Sequence, residues 1–158
     1  MRLSKSREKY FLQQYFKTKN NKGLPTSLLQ FGSHDGVITD EHLYFITRYV
    51  SEINTVVLGG TTVTEQGLFY LKQIKSIHYL DLRELPLNDS NLEAILHFSM
   101  LQNLDIKNTK VSIQGIQKLL ETFPKLETIR VDIPKETSTV LEIWKKRFPK
   151  CKLIINLL

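Results

Sequence analysis

Residues 53–76 read INTVVLGGTTVTEQGLFYLKQIKS. A short apolar alternation, Val56 and Leu58 about Val57, runs into a Gly-Thr turn, and a helical spacing of Leu68, Leu71 and Ile74 follows. Alternate residues of a strand point to opposite faces, whereas residues three and four apart share one face of a helix. The stretch therefore predicts a strand, a turn and a helix within 24 residues.

The same arrangement returns. IHYLDLRELPLNDSNLEAILHFSM starts at Ile77, LQNLDIKNTKVSIQGIQKLLETFPK at Leu101 and LETIRVDIPKETSTV at Leu126, so successive starts are 24, 24 and 25 residues apart. Apolar residues fill common columns: Ile53/Ile77/Leu101/Leu126, Val56/Leu80/Leu104/Ile129 and Leu58/Leu82/Ile106/Val131, then Val63/Leu87/Val111, Leu68/Leu92/Ile116, Leu71/Ile95/Leu119 and Ile74/Phe98/Phe123. A polar residue suited to capping a helix, Thr64, Asn88 or Ser112, precedes each helical segment, and Thr39 takes that slot in an earlier, weaker unit in which Ser33 breaks the strand column. One unit cannot bury its apolar side alone, but stacked units share a core.

The pattern resembles the leucine-rich repeat, LxxLxLxxxxVTxxGLxxLxxL, over about residues 28–131. That resemblance implies an α/β fold: a right-handed solenoid with a parallel sheet on its concave face and helices on its convex face. The expected organisation is a basic amphipathic N-terminal helix or cap over 1–27, repeats over 28–132, and a helix-strand cap over 133–158. In that last cap VLEIWKKRF is a helix with Ile143, Trp144 and Phe148 turned inward, Trp144 plugs the core, and CKLIINLL is a strand that Cys151 opens as a small apolar residue. LETIRVDIP with WKKRFPKCKLIINL also resembles the last repeat and terminal strand of mitochondrial coupling factor B and related respiratory-complex assembly factors.

Composition narrows the function. No apolar stretch approaches the roughly 20 residues of a membrane span, which predicts none. The single cysteine, Cys151, excludes an internal disulfide framework and fits a reducing compartment, the cytoplasm or the mitochondrial matrix. The formal net charge of +6 resides in residues 1–24, where Arg2, Lys5, Arg7, Lys9, Lys17, Lys19 and Lys22 face Glu8 alone. This basic, amphipathic start also resembles a mitochondrial presequence, although lysines outnumber arginines five to two.

Chemistry-bearing constellations do not emerge. His34, His42, His78 and His97 occupy different slots of the period, Ser33–Gly36 (SHDG) reads as a turn rather than a relay, and Gly59–Gly60 lacks the rest of a phosphate-loop pattern. No catalytic residue, metal site, cofactor or small-molecule substrate is expected.

The expected role is a non-catalytic protein-interaction module, an adaptor or an accessory or assembly subunit of a larger complex. The resemblance implies that the concave sheet carries the contacts: Tyr79, Asp81, Arg83, Asn103, Asp105, Lys107, Arg130 and Asp132, beside Thr55, Val57, Gly59 and Thr128. A second surface joins Tyr44, Phe45, Phe69 and Tyr70 to an N-terminal docking stripe of Tyr10, Phe11, Tyr15 and Phe16, which serves either as a cap on the first repeat or as a contact for protein, anionic membrane or RNA. Two alternatives account for the same residues: a ribonucleoprotein subunit using 1–24 as a nucleic-acid arm, and a bacterial effector-type repeat protein.

Overall fold

The computed structural model describes residues 1–34, 37–137 and 139–158. Asp35 and Gly36, half of the SHDG turn, lie outside them. Among the described residues the chain order of five α-helices and six strands is α1 Lys5–Phe16, β1 Ser27–Gly32, α2 Asp40–Ile46, β2 Glu52–Val57, α3 Glu65–Tyr70, β3 Ser76–Asp81, β4 Asn103–Asp105, α4 Ile113–Thr122, β5 Thr128–Ile133, α5 Thr139–Arg147 and β6 Lys152–Leu157. All six strands form one parallel sheet whose spatial order is the chain order.

The register follows the sequence columns. Phe31 pairs with Val56, Val56 with Leu80, Leu80 with Leu104 and Leu104 with Ile129. These residues are buried, and they share one core with Leu68, Leu71, Ile116 and Leu119 from the helical segments. At about 1.5–3 kcal/mol per fully buried aliphatic side chain, this shared core is the main source of cohesion. The first unit is more regular than its sequence suggested, because Leu28 and Phe31 pair with Ile53 and Val56 before the strand stops at Gly32. Gly32 has a left-handed φ of 86°, and a Cβ there would sit 1.9 Å from the Val57 carbonyl oxygen.

The third unit departs from expectation, with only a 3-10 turn over Leu92–Ala94 in place of an α-helix. Asn88 Oδ1 accepts from the Ser90 amide at 2.9 Å, and Asn91 Nδ2 donates to the Pro86 carbonyl at 2.8 Å. Such local side-chain bonds offer the backbone an alternative to helix.

A helix packs at each end of the sheet. Against the first unit, α1 buries Phe11 and Leu12 on Phe45, with Tyr15 and Phe16 packed alongside. At the other end Trp144 is 1% exposed, and the half-buried Val140, Leu141 and Phe148 pack on the same core. Ile143 instead points outward, 61% exposed, because it is one residue off the Val140–Trp144–Phe148 face. No helix among the described residues is long and apolar enough to cross a membrane.

Candidate functional site

Opposite the core, the sheet carries two registered rows of side chains. The first runs Gln30, Thr55, Tyr79, Asn103, Thr128, Lys152, and the second Gly32, Val57, Asp81, Asp105, Arg130, Ile154. Lys107 and Asp132 lie beyond the second row. The strand period thus brings together the eight predicted contact residues on β3, β4, β5 and the turns after them. It also adds Gln30 from β1 and Lys152 and Ile154 from β6, which the repeat columns alone had not assigned.

The two aspartates are not free to meet a partner. Asp81 is fully buried and Asp105 is 5% exposed. Burial of adjacent carboxylates on neighbouring strands costs stability unless cations and hydrogen bonds compensate. Arg83 supplies most of that compensation: its backbone N–H and its Nε each donate to Asp81 Oδ1 at 3.1 Å, and one terminal guanidinium nitrogen lies 3.0 Å from Oδ2. Its Nε is also 3.9 Å from Asp105, and Arg130 approaches Asp105 from the other side at 4.0 Å. Lys107 contributes its backbone N–H to Asp105 at 3.2 Å. Burial still pushes the Asp105 carboxyl above the ordinary carboxylate range, and the neighbouring Asp81 adds to that.

Gly59 has a specific reason to be glycine. A Cβ on it would stand 2.6 Å from Asp81 Oδ1, so the Gly-Thr turn of the second unit makes room for the carboxylate of the third. His34 reaches the same network, its Nδ1 2.7 Å from an Arg83 terminal nitrogen and 3.5 Å from Asp81. No periodicity marks His34, since it belongs to a turn in a unit whose pattern had broken down.

What remains accessible is a partly exposed surface of Tyr79, Arg83, Asn103, Lys107, Arg130 and Asp132 over a charge-balanced floor. The Tyr79 phenol is pushed up, first by burial and then by Asp81. One terminal nitrogen of Arg130 and one oxygen of Asp132 are buried without a hydrogen-bond partner among the described residues, while the other Asp132 oxygen accepts from the Asn108 amide. Such an arrangement orients hydrogen-bonding groups toward the open side of the sheet.

The N-terminal docking residues divide. Phe11 is fully buried, Tyr15 and Phe16 are half-buried, and Tyr10 is 54% exposed. The neighbouring aromatic group splits likewise: Phe45 and Tyr70 are buried, Tyr44 packs on Tyr70 with ring centres 5.3 Å apart, and Phe69 is 56% exposed. Cavities also lie off the sheet face. One of about 630 Å³ runs between α1 and the start of α2, lined by Arg7, Tyr10, Gln14, Tyr15 and His42. Another, about 250 Å³, lies between the end of α4 and the α5–β6 turn, where Leu120, Phe123, Phe148 and Cys151 form an apolar wall. Burial there raises the Cys151 thiol to about 11, far from a reactive thiolate.

No group of three or more His, Cys, Asp or Glu side chains among the described residues is arranged to hold a metal ion. No protein-family model matches the chain.

Proposed function

We propose that the chain is a leucine-rich-repeat solenoid that works as a non-catalytic interaction module, an adaptor or an accessory or assembly subunit of a larger complex, in the cytoplasm or the mitochondrial matrix. Its concave sheet would meet the partner. The observation that carries this reading is the contrast across the sheet face: Asp81 and Asp105 in the second row are buried and paired with Arg83 and Arg130, while Tyr79 and Asn103 in the first row stand beside them, partly exposed. Side chains fixed in advance lose little freedom on binding, and Tyr and Arg are the residue types that most often dominate interface energetics.

The resemblance of the C-terminal end to respiratory-complex assembly factors supports the accessory-subunit form of the reading. The packing of Trp144 and of the β5–β6 pair is compatible with it but independent of it.

A test must spare the floor, since removing Arg83 would leave Asp81 buried and unpaired. Tyr79→Ala/Asn103→Ala/Lys107→Glu changes only partly exposed positions. Quantitative co-purification from the native source should lose a defined partner with this variant while its unfolding midpoint stays near wild type. An unchanged co-purifying set from a folded variant removes the sheet face from consideration.

A further inference from the structure

Beyond the sheet face, α1 sorts the charge of residues 1–24. Its inward side uses Phe11 and Leu12 for packing and also consumes two ionic groups. Arg7 Nε donates to Glu41 at 2.9 Å, and Glu8 receives the Tyr49 hydroxyl and lies 3.6 Å from Arg48. Glu8 is the only acid in the segment, so turning it inward leaves the outer side purely cationic. Arg2, Lys5, Lys9, Lys17, Lys19 and Lys22 are all exposed, and none has an acidic partner among the described residues.

These cations are ordered. Lys5, Lys9, Gln13 and Lys17 follow one another at intervals of four along α1 and its C-cap, which places them in a line at roughly 6 Å steps. Lys17 leaves the helix with a left-handed φ of 54°, and the following loop carries Lys19 and Lys22 onward. Beside the line stands Tyr10, its ring 5.6 Å from Phe11 and 5.3 Å from the Arg7 guanidinium, while Arg7 is itself tied to Glu41. Tyr10 is therefore an exposed but positioned aromatic among cations.

We propose that this outer face of α1 and the loop after it bind single-stranded nucleic acid, with the lysine line following the phosphates and Tyr10 stacking on a base. A row of cations with interleaved aromatic surface is the combination such strands use. A lipid surface fits less well. An interfacial helix buries its apolar face in the headgroup region, and here that face is already covered by Phe45. Removing residues 1–23 would take Phe11 and Leu12 out of the core, so point substitutions in the full chain are the proper probe.

The full chain is titrated by fluorescence anisotropy against a labelled oligouridine of about 20 nucleotides, with salt varied. Four to six phosphate contacts predict a log-log salt slope of about −3 to −4. Lys5→Gln/Lys9→Gln/Lys17→Gln should weaken binding at least about tenfold and make the slope shallower by about 2. Tyr10→Ala should weaken it by about tenfold with the slope unchanged. Equal affinity for oligothymidine supports recognition through backbone and stacking. Absence of oligouridine binding, binding indifferent to these substitutions, or tighter binding to phosphatidylserine vesicles or polyglutamate overturns the proposal.

Discussion

The helical segments of the four units, those that follow Thr39, Thr64, Asn88 and Ser112, start in two different ways. In the second and fourth units the capping residue is held from the preceding unit: Asp40 accepts from the Thr64 N–H at 2.9 Å and from its hydroxyl at 2.5 Å, and Asp89 accepts from the Ser112 N–H at 2.9 Å and from its hydroxyl. In the first and third units the capping N–H is held from within, by His42 Nδ1 for Thr39 at 3.1 Å and by Asn91 Oδ1 for Asn88 at 2.9 Å. One position separates the two solutions. Three residues after the cap stand His42, Gly67, Asn91 and Gly115 in turn. A side chain there folds back in the manner of a capping box, and its absence opens a seat for the neighbour's carboxylate. The lesson is that glycine in this slot serves contact between units rather than backbone freedom.

The sharpest way to break this comparison is to fill the seat. Glycine inside a helix ordinarily costs about 1 kcal/mol relative to alanine, so Gly67→Ala and Gly115→Ala would stabilise an isolated helix. Here a Cβ would meet Asp40 Oδ1 at 2.1 Å and Asp89 Oδ1 at 2.3 Å, with a valine methyl of the same unit also inside 3 Å. Each substitution should therefore destabilise by about 1–3 kcal/mol in urea unfolding. Combining Gly67→Ala with Asp40→Ala should cost less than the sum of the two, because the collision partner is gone. Additive costs would show that the carboxylate does not occupy the seat.

A smaller effect separates the acids that follow the caps. Asp40 and Asp89 each hold a backbone N–H and a hydroxyl of the next unit, whereas Glu65 reaches only the Asn88 side-chain amide at 3.2 Å. Asn91 has already taken the N–H that Glu65 would otherwise seek. Losing a capping interaction costs about 1 kcal/mol, and losing a single exposed polar contact generally less than about 0.5 kcal/mol. Asp89→Ala should thus lower the urea midpoint clearly, and Glu65→Ala hardly at all. Equal losses would erase the distinction between the two kinds of junction.

How much of this was legible beforehand divides along the same line. The columns Val56/Leu80/Leu104/Ile129, the caps Thr64 and Ser112, and the buried Trp144 were readable because burial and capping leave a mark at fixed spacing in one short segment. The seat for Asp40 was not, since it depends on two residues 27 positions apart whose types are each ordinary alone. Asp81 and Asp105 share one registered row, as strand alternation predicts. Their burial was not foreseen, because strand alternation tells which side a residue faces and not how deeply Arg83 and Arg130 cover it. The α-helix expected after Asn88 failed for a local reason: Pro86, Asn88 and Asn91 bond one another where the apolar spacing alone would have permitted a helix. The lysine line of α1 was visible as composition, but its isolation from acids required knowing that Glu8 turns inward.

The smallest expected effect tests the internal solution in the first unit. His42 can accept the Thr39 N–H at Nδ1 only while that nitrogen is unprotonated. It is 6% exposed, its ring centre lies 4.7 Å from that of Phe11, and burial followed by the nearby Arg7 lowers its pKa below the usual histidine value. A histidine with a depressed folded pKa binds fewer protons folded than unfolded, so stability rises with pH across that window. On acidification the contribution is therefore present above the ordinary histidine pKa and is lost as pH falls through the lower folded value. His42→Asn copies the third unit's Asn91 and removes the titrating group. It should cost stability at pH 7 through lost packing on Phe11, yet flatten the decline between about pH 7 and 5. Urea unfolding across that range reads the slope directly, and a variant that loses stability on acidification as steeply as wild type would show that the Thr39 cap does not depend on His42.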